Sequence, residues 1–133
     1  MLVTPDKLVN YKIPAKENHI GNAYNLTMKS RVNGIQVSEG NIGDMDWTFA
    51  EIIERSSYGV QLFPGDVIGS GTVGTGCFLE LNGTGKLRNP DYNEQWLQQD
   101  DEVEMEIVEL GTLKNTIVRD ESDFSILALK KNL

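Results

Sequence analysis

One dipeptide, Asn33-Gly34, constrains this chain more than any other feature. Before it Leu26, Met28 and Val32 alternate with polar residues, and after it Ile35 and Val37 carry on the alternation. A two-residue type I′ connection needs positive φ at both central positions, which asparagine and glycine adopt at least cost. Residues 26–37 therefore read as an antiparallel hairpin, with Val32 opposite Ile35 and Ser30 opposite Val37. A second alternating run, Val103, Met105 and Ile107 with Glu104 and Glu106 between them, reads as a half-buried strand with a wet acidic face. Its partner falls at 112–118, joined through Gly111. A second Asn-Gly pair, Asn82-Gly83, closes the apolar run Cys77 to Leu81, which reads as a strand followed by a surface loop over 84–95. Pro64-Gly65-Asp66 reads as a turn into a short strand, Val67-Ile68.

Residues 47–58 carry the one helix signal. Thr48 and Glu51 have the spacing of a capping box, Trp47 and Ile52 that of a hydrophobic staple, and Phe49, Ile52 and Ile53 an apolar stripe. Gly59 is the expected stop. Residues 1–23, with Pro5, Pro14 and Gly21, read as irregular, and the apolar piece from Phe124 to Leu129 as a last strand or a docked tail. The sum is mainly β with one helix, a rolled or sandwich-like sheet in a single unit over 1–133.

The net charge of −8 argues against nucleic acid or an anionic membrane as partner, since both need a positive face. Hydrophobic content of 39% suits a folded domain, and no run approaches the length of a membrane span. The first residues have neither the basic nor the apolar region of a secretory signal. A single cysteine, Cys77, excludes an internal disulfide, and reads as a small buried hydrophobe rather than a nucleophile. A single histidine, His19, sits in a polar loop with nothing nearby to mark it as a base.

The glycine-rich stretch Gly69-Ser70-Gly71-Thr72-Val73-Gly74 satisfies G-x-G-x-x-G. A dinucleotide site would need a helix directly after it, whereas the following run reads as β. Two readings remain: a bend between strands, or a loop whose free N–H groups and Thr72 hydroxyl meet a small anionic ligand. Strand alternation over 78–81 puts Phe78 and Glu80 on one face. On a solvent face Glu80 is an ordinary acid; in a cleft it is a candidate general base.

The run Leu62 to Leu81, with Pro64-Gly65-Asp66, Gly71-Thr72 and Leu79-Glu80-Leu81, resembles the fumarylacetoacetate hydrolase family. So does the order around it: Arg31 to Gly34, Gly40 to Met45, the capped helix, then Asp101 to Ile107 and Leu110 to Asn115. The resemblance covers roughly residues 2–118 and implies a mixed β-roll of that family's C-terminal type, truncated. It implies metal-dependent hydrolase or lyase chemistry on small 2-oxo or 2,4-dioxo acids: C–C hydrolysis, decarboxylation or isomerisation. Dehydration of 2-keto-3-deoxy sugar acids, and a non-catalytic binding or assembly module, are the alternatives. Thr72 matches the family's substrate-contacting threonine, with Ser70 and Gly71 beside it, and Glu80 matches the glutamate of its Leu-Glu-Leu strand, the candidate catalytic residue. Both should open onto one concave surface. The family's Mg²⁺, Mn²⁺ or Ca²⁺ carboxylates, its catalytic lysine and its histidine loop lie N-terminal to the matching segment. No metal ligand is therefore assigned within this chain, and the isolated chain is expected to be inactive. A small carboxylate substrate, a homodimer and a cytoplasmic location are further implications of the resemblance.

Overall fold

The computed structural model describes residues 4–120. A four-stranded antiparallel sheet dominates, in the order β4-β3-β5-β6, from β3 (Thr27–Val32), β4 (Ile35–Asn41), β5 (Glu102–Ile107) and β6 (Gly111–Thr116). β1 (Lys12–Pro14) and β2 (Asn22–Tyr24) form a small antiparallel pair within the stretch expected to be irregular. The protein is thus mainly β with antiparallel sheets, as read from the sequence.

The hairpin turns at Asn33 and Gly34 with φ of 50° and 78°, both left-handed as the turn requires. Val32 pairs with Ile35, but Ser30 pairs with Ser38, not Val37. A bulge between Ser30 and Arg31 inserts one extra residue on β4 and shifts the register beyond it. The Ser30 and Ser38 hydroxyls then meet at 2.8 Å in the middle of the sheet.

The two sheet faces differ. One carries Met28, Val32, Val103 and Ile107, all half-buried. The other carries ions: the Arg31 Nη1 donates to Glu104 at 2.6 Å and to Glu106 at 2.9 Å, and Lys114 bridges Glu102 and Glu104. The three carboxylates of the expected acidic face are therefore paired across strands with two cations. Arg31 holds the Glu104 carboxyl below its ordinary pKa, with Lys114 adding to the effect.

α1 (Phe49–Ser56) begins with the expected capping box. Thr48 accepts from the Glu51 N–H, and Glu51 accepts from the Thr48 N–H at 2.8 Å. Glu51 does more than cap. It also takes the Ile20 N–H at 3.1 Å and meets the His19 Nδ1 at 3.0 Å, while the Thr48 hydroxyl donates to the Ile20 carbonyl at 2.6 Å. His19, unremarkable in sequence, thus fastens the 15–21 loop to the helix start, with the Trp47 ring edge-on at 5.3 Å. These donors, the Thr48 N–H foremost, lower the Glu51 pKa to about 2.

The largest departure lies at 77–88. The expected strand and Asn-Gly turn are instead one helix, α2 (Phe78–Arg88). Phe78, Leu81, Asn82 and Gly85 are its inward positions, at i, i+3, i+4 and i+7. Asn82 is 3% exposed: its Nδ2 donates to the Gln95 carbonyl at 2.8 Å, and its Oδ1 accepts the Gln95 N–H at 3.0 Å. Of the loop expected over 84–95, only the part after Arg88 is loop, and Asn82 ties it down. Val67-Ile68 is not a strand. Cys77 is exposed at the N-cap of α2, not buried. The expected tail segment, Phe124 to Leu129, lies outside the described residues.

Among the described residues Leu26, 1% exposed, is the one buried apolar side chain. Large apolar side chains stand in the open along the central segment, Val67 at 95% and Leu87 at 90% exposure among them. No helix of the described residues is long and apolar enough to cross a membrane.

Candidate functional site

The apolar sheet face and the segment above it enclose two cavities. The first, about 610 Å³, has Leu26, Met28, Gly40 and Ile107 on the sheet side and Ser70 through Gly74 opposite them. The second, about 490 Å³, lies further along the same face, with Val32, Val103 and Met105 below and Cys77, Phe78, Leu81 and Trp96 above. Only the first combines apolar walls with convergent polar groups, the usual make-up of a small-molecule site.

The loop over the first cavity is shaped by its glycines. Gly71 has φ of +100°, a conformation strained for a side-chain-bearing residue. Val73 to Gly76 close a tight turn through a 2.9 Å bond from the Gly76 N–H to the Val73 carbonyl. A Cβ on Gly76 would sit 2.5 Å from that carbonyl oxygen, so the turn excludes other residues there. The N–H groups of Ser70 through Gly74 have no hydrogen-bond partner among the described residues. Together with the Thr72 hydroxyl they are donors available to a ligand.

The charge around the groove is less accommodating. Glu39 and Asp44 line it, and no lysine or arginine among the described residues does. Glu39 is held by Lys29 at 3.7 Å and by Gln36 at 2.9 Å. A carboxylate ligand therefore needs a positive group beyond this lining. No three His, Cys, Asp or Glu side chains converge among the described residues. Glu104 and Glu106 are engaged with Arg31, so among the described residues no side-chain set fits a divalent cation.

The structure brings Ser70, Gly71 and Thr72 to one groove and leaves Glu80 outside it. The alternation that placed Glu80 with Phe78 does not apply to a helix. Two residues along an α-helix are about 200° apart, so Phe78 faces the second cavity while Glu80 stands exposed. Glu80 lines neither cavity; it lies in the first turn of α2, where an acid is favoured by the helix dipole. A helix does follow the glycine stretch, contrary to the sequence reading. The dinucleotide motif still lacks its setting, because no strand precedes the loop and every described strand pair is antiparallel.

Residues 3–118 match the family described as Fumarylacetoacetate (FAA) hydrolase C-terminal. The chain belongs to the fumarylacetoacetate hydrolase family. Among its relatives are mitochondrial oxaloacetate tautomerases. The one from Homo sapiens is 34% identical over 102 residues, 77% of this chain and 29% of that protein. The one from Rattus norvegicus is 34% identical over 99 residues, 74% of this chain and 28% of that protein. An uncharacterized protein of Staphylococcus epidermidis is 34% identical over 117 residues, 87% of this chain and 31% of its own length. The chain thus spans less than a third of each of these relatives. Of Thr72 and Glu80, the two residues singled out by the sequence resemblance, only Thr72 reaches the groove.

Proposed function

We propose that this chain, as one unit over 1–133, is the C-terminal, carboxylate-binding portion of an enzyme acting on small 2-oxo acids. The observation that carries this is the groove under Ser70–Gly74, where unpartnered N–H groups and the Thr72 hydroxyl gather over an apolar floor. Within the family's range of reactions the relatives favour isomerisation of a 2-oxo dicarboxylate such as oxaloacetate. In the enol-to-keto direction the C2 hydroxyl gives up its proton, C3 gains one, and the C2=C3 π bond gives way to C2=O, so the only σ bonds that change are those to hydrogen. Thr72 and the loop N–H groups hold a substrate carboxylate. Glu80 stands exposed and outside this groove, so it is proposed as the proton carrier on the family resemblance alone, for a substrate that reaches beyond the groove to α2.

The positive partner the groove lacks is assigned to the rest of a longer protein, as are the divalent metal and its ligands. C–C hydrolysis, decarboxylation and sugar-acid dehydration remain reactions of the same substrate class, which the assay below distinguishes by product. A non-catalytic assembly role has its own support in the many exposed apolar side chains. They also support a homodimer, to be tested by sedimentation. The cytoplasm is the proposed location; the matched tautomerases are named mitochondrial, and cell fractionation decides between the two.

The test is kinetic, in the longest natural form of the protein, following enol–keto conversion of oxaloacetate by absorbance. Thr72→Val is expected to raise KM about tenfold with kcat little changed, because a hydrogen bond to a charged ground-state group is lost. Glu80→Gln is expected to lower kcat by ~10²-fold or more, the usual contribution of a proton-transfer group. An unchanged kcat in Glu80→Gln removes Glu80 from the chemistry, and an unchanged KM in Thr72→Val removes the groove.

A further inference from the structure

Between Phe63 and Cys77 every residue is exposed except Val73. Its side chain points down onto Gly40 of β4, and a Cβ built on Gly40 would lie 2.6 Å from the Val73 Cγ1. That distance is far inside van der Waals contact, so the valine occupies the space a side chain on residue 40 would need. Gly40 has no positive φ, so its backbone suits any residue and glycine serves only to leave this space open. The other end of the loop is fixed by the tight Val73–Gly76 turn.

From this we infer that Val73 and Gly40 form a knob and hole that set the depth of the 70–74 loop above the sheet, and hence the position of Thr72. Val73 is the pin and Gly40 its socket: the side-chain contact between them is a positioning contact, although both residues line the groove. The inference rests on the carboxylate-binding reading for its functional consequence, but its geometric part stands apart from it. Valine has a stiff χ1, so a methyl placed in the socket lifts the loop more readily than it turns the side chain.

The experiment is a size exchange in the longest natural form of the protein, read by two signals: the amide NMR positions of residues 70–74, and the affinity for oxalate, a planar 2-oxo acid mimic. Gly40→Ala is expected to move the amides of Gly71, Thr72 and Gly74, leave those of β5 and β6 in place, and weaken oxalate binding ~tenfold. Val73→Ala, which empties the socket, is expected to weaken it less. The double variant Gly40→Ala/Val73→Ala restores the fit, so loop amides and affinity return toward the starting protein. Such coupling is typical of residues in contact and absent between independent sites. If the loop amides move and are restored while the unaltered chain shows no oxalate affinity, the pin is upheld and the carboxylate reading fails. If Gly40→Ala leaves the loop amides in place, or the double variant is no better than the sum of its parts, the pin is wrong. A Gly40→Ala chain that loses its β5 and β6 signals as well overturns it too, since the glycine then supports the sheet rather than the loop.

Discussion

Asn33-Gly34 and Asn82-Gly83 are the same dipeptide in two regions that fold differently. The first turns a hairpin with both residues at positive φ. The second lies inside α2, where Asn82 is buried and Gly83 is an ordinary exposed helical position. Their flanks decide. Around Asn33 apolar residues recur every second position, and two strands are available to pair. After Asn82 come Gly83, Thr84, Gly85 and Lys86, with nothing that could pair as a strand, while Phe78, Leu81 and Asn82 match a helical period. Both asparagines also work as clips for distant chain. Asn33 donates to Asp101 at 2.7 Å and accepts the Glu102 N–H at 2.9 Å; Asn82 holds Gln95 in the same two-sided way. The asparagine side chain is thus the shared element, and the backbone conformation is not.

Breaking the buried clip gives the largest effect. Asn82→Ala strands the Gln95 N–H and carbonyl and removes the 3.4 Å contact of the Tyr92 hydroxyl. Urea unfolding is expected to show a loss of about 2 kcal/mol, about 1 kcal/mol for each of the two hydrogen bonds to Gln95. Gly34→Ala comes next. At φ of +78° an alanine is expected to cost about 1–2 kcal/mol. The smallest change has the opposite sign: Gly83→Ala, exposed and with open space around its Cβ, is expected to stabilise by about 0.5–1 kcal/mol, the gain of alanine over glycine in a helix. Opposite signs at the two glycines confirm the contrast between turn and helix; a loss at both would return 82–83 to a turn.

The legible parts of the fold were those where local pattern and long-range packing agree. The hairpin, the Val103–Ile107 strand with its partner and the Thr48–Glu51 cap all have strong periods or paired signals. The bulge at Ser30 was invisible, because a one-residue insertion leaves the composition of both strands unchanged. α2 was missed because Cys77 to Leu81 is short and apolar, a run that periodicity alone does not assign. Its helical signal is the polar Asn82 at an inward position, meaningful only once Gln95 is seen beside it. The same error moved Glu80. The loop at Ser70, Gly71 and Thr72 was legible from glycine spacing, but its pin was not, since Gly40 and Val73 are 33 positions apart and joined only by the fold. His19 gave no signal because its partner, Glu51, belongs to a helix 32 residues away.

The central claim is that the Ser70–Gly74 loop is a carboxylate seat, and the most direct measurement is an NMR titration of the longest natural form of the protein with oxalate at low salt. The account predicts saturable shifts concentrated in the amides of Ser70, Gly71, Thr72 and Gly74, weakened by Thr72→Val. Shifts centred elsewhere, or none at millimolar oxalate, would contradict it.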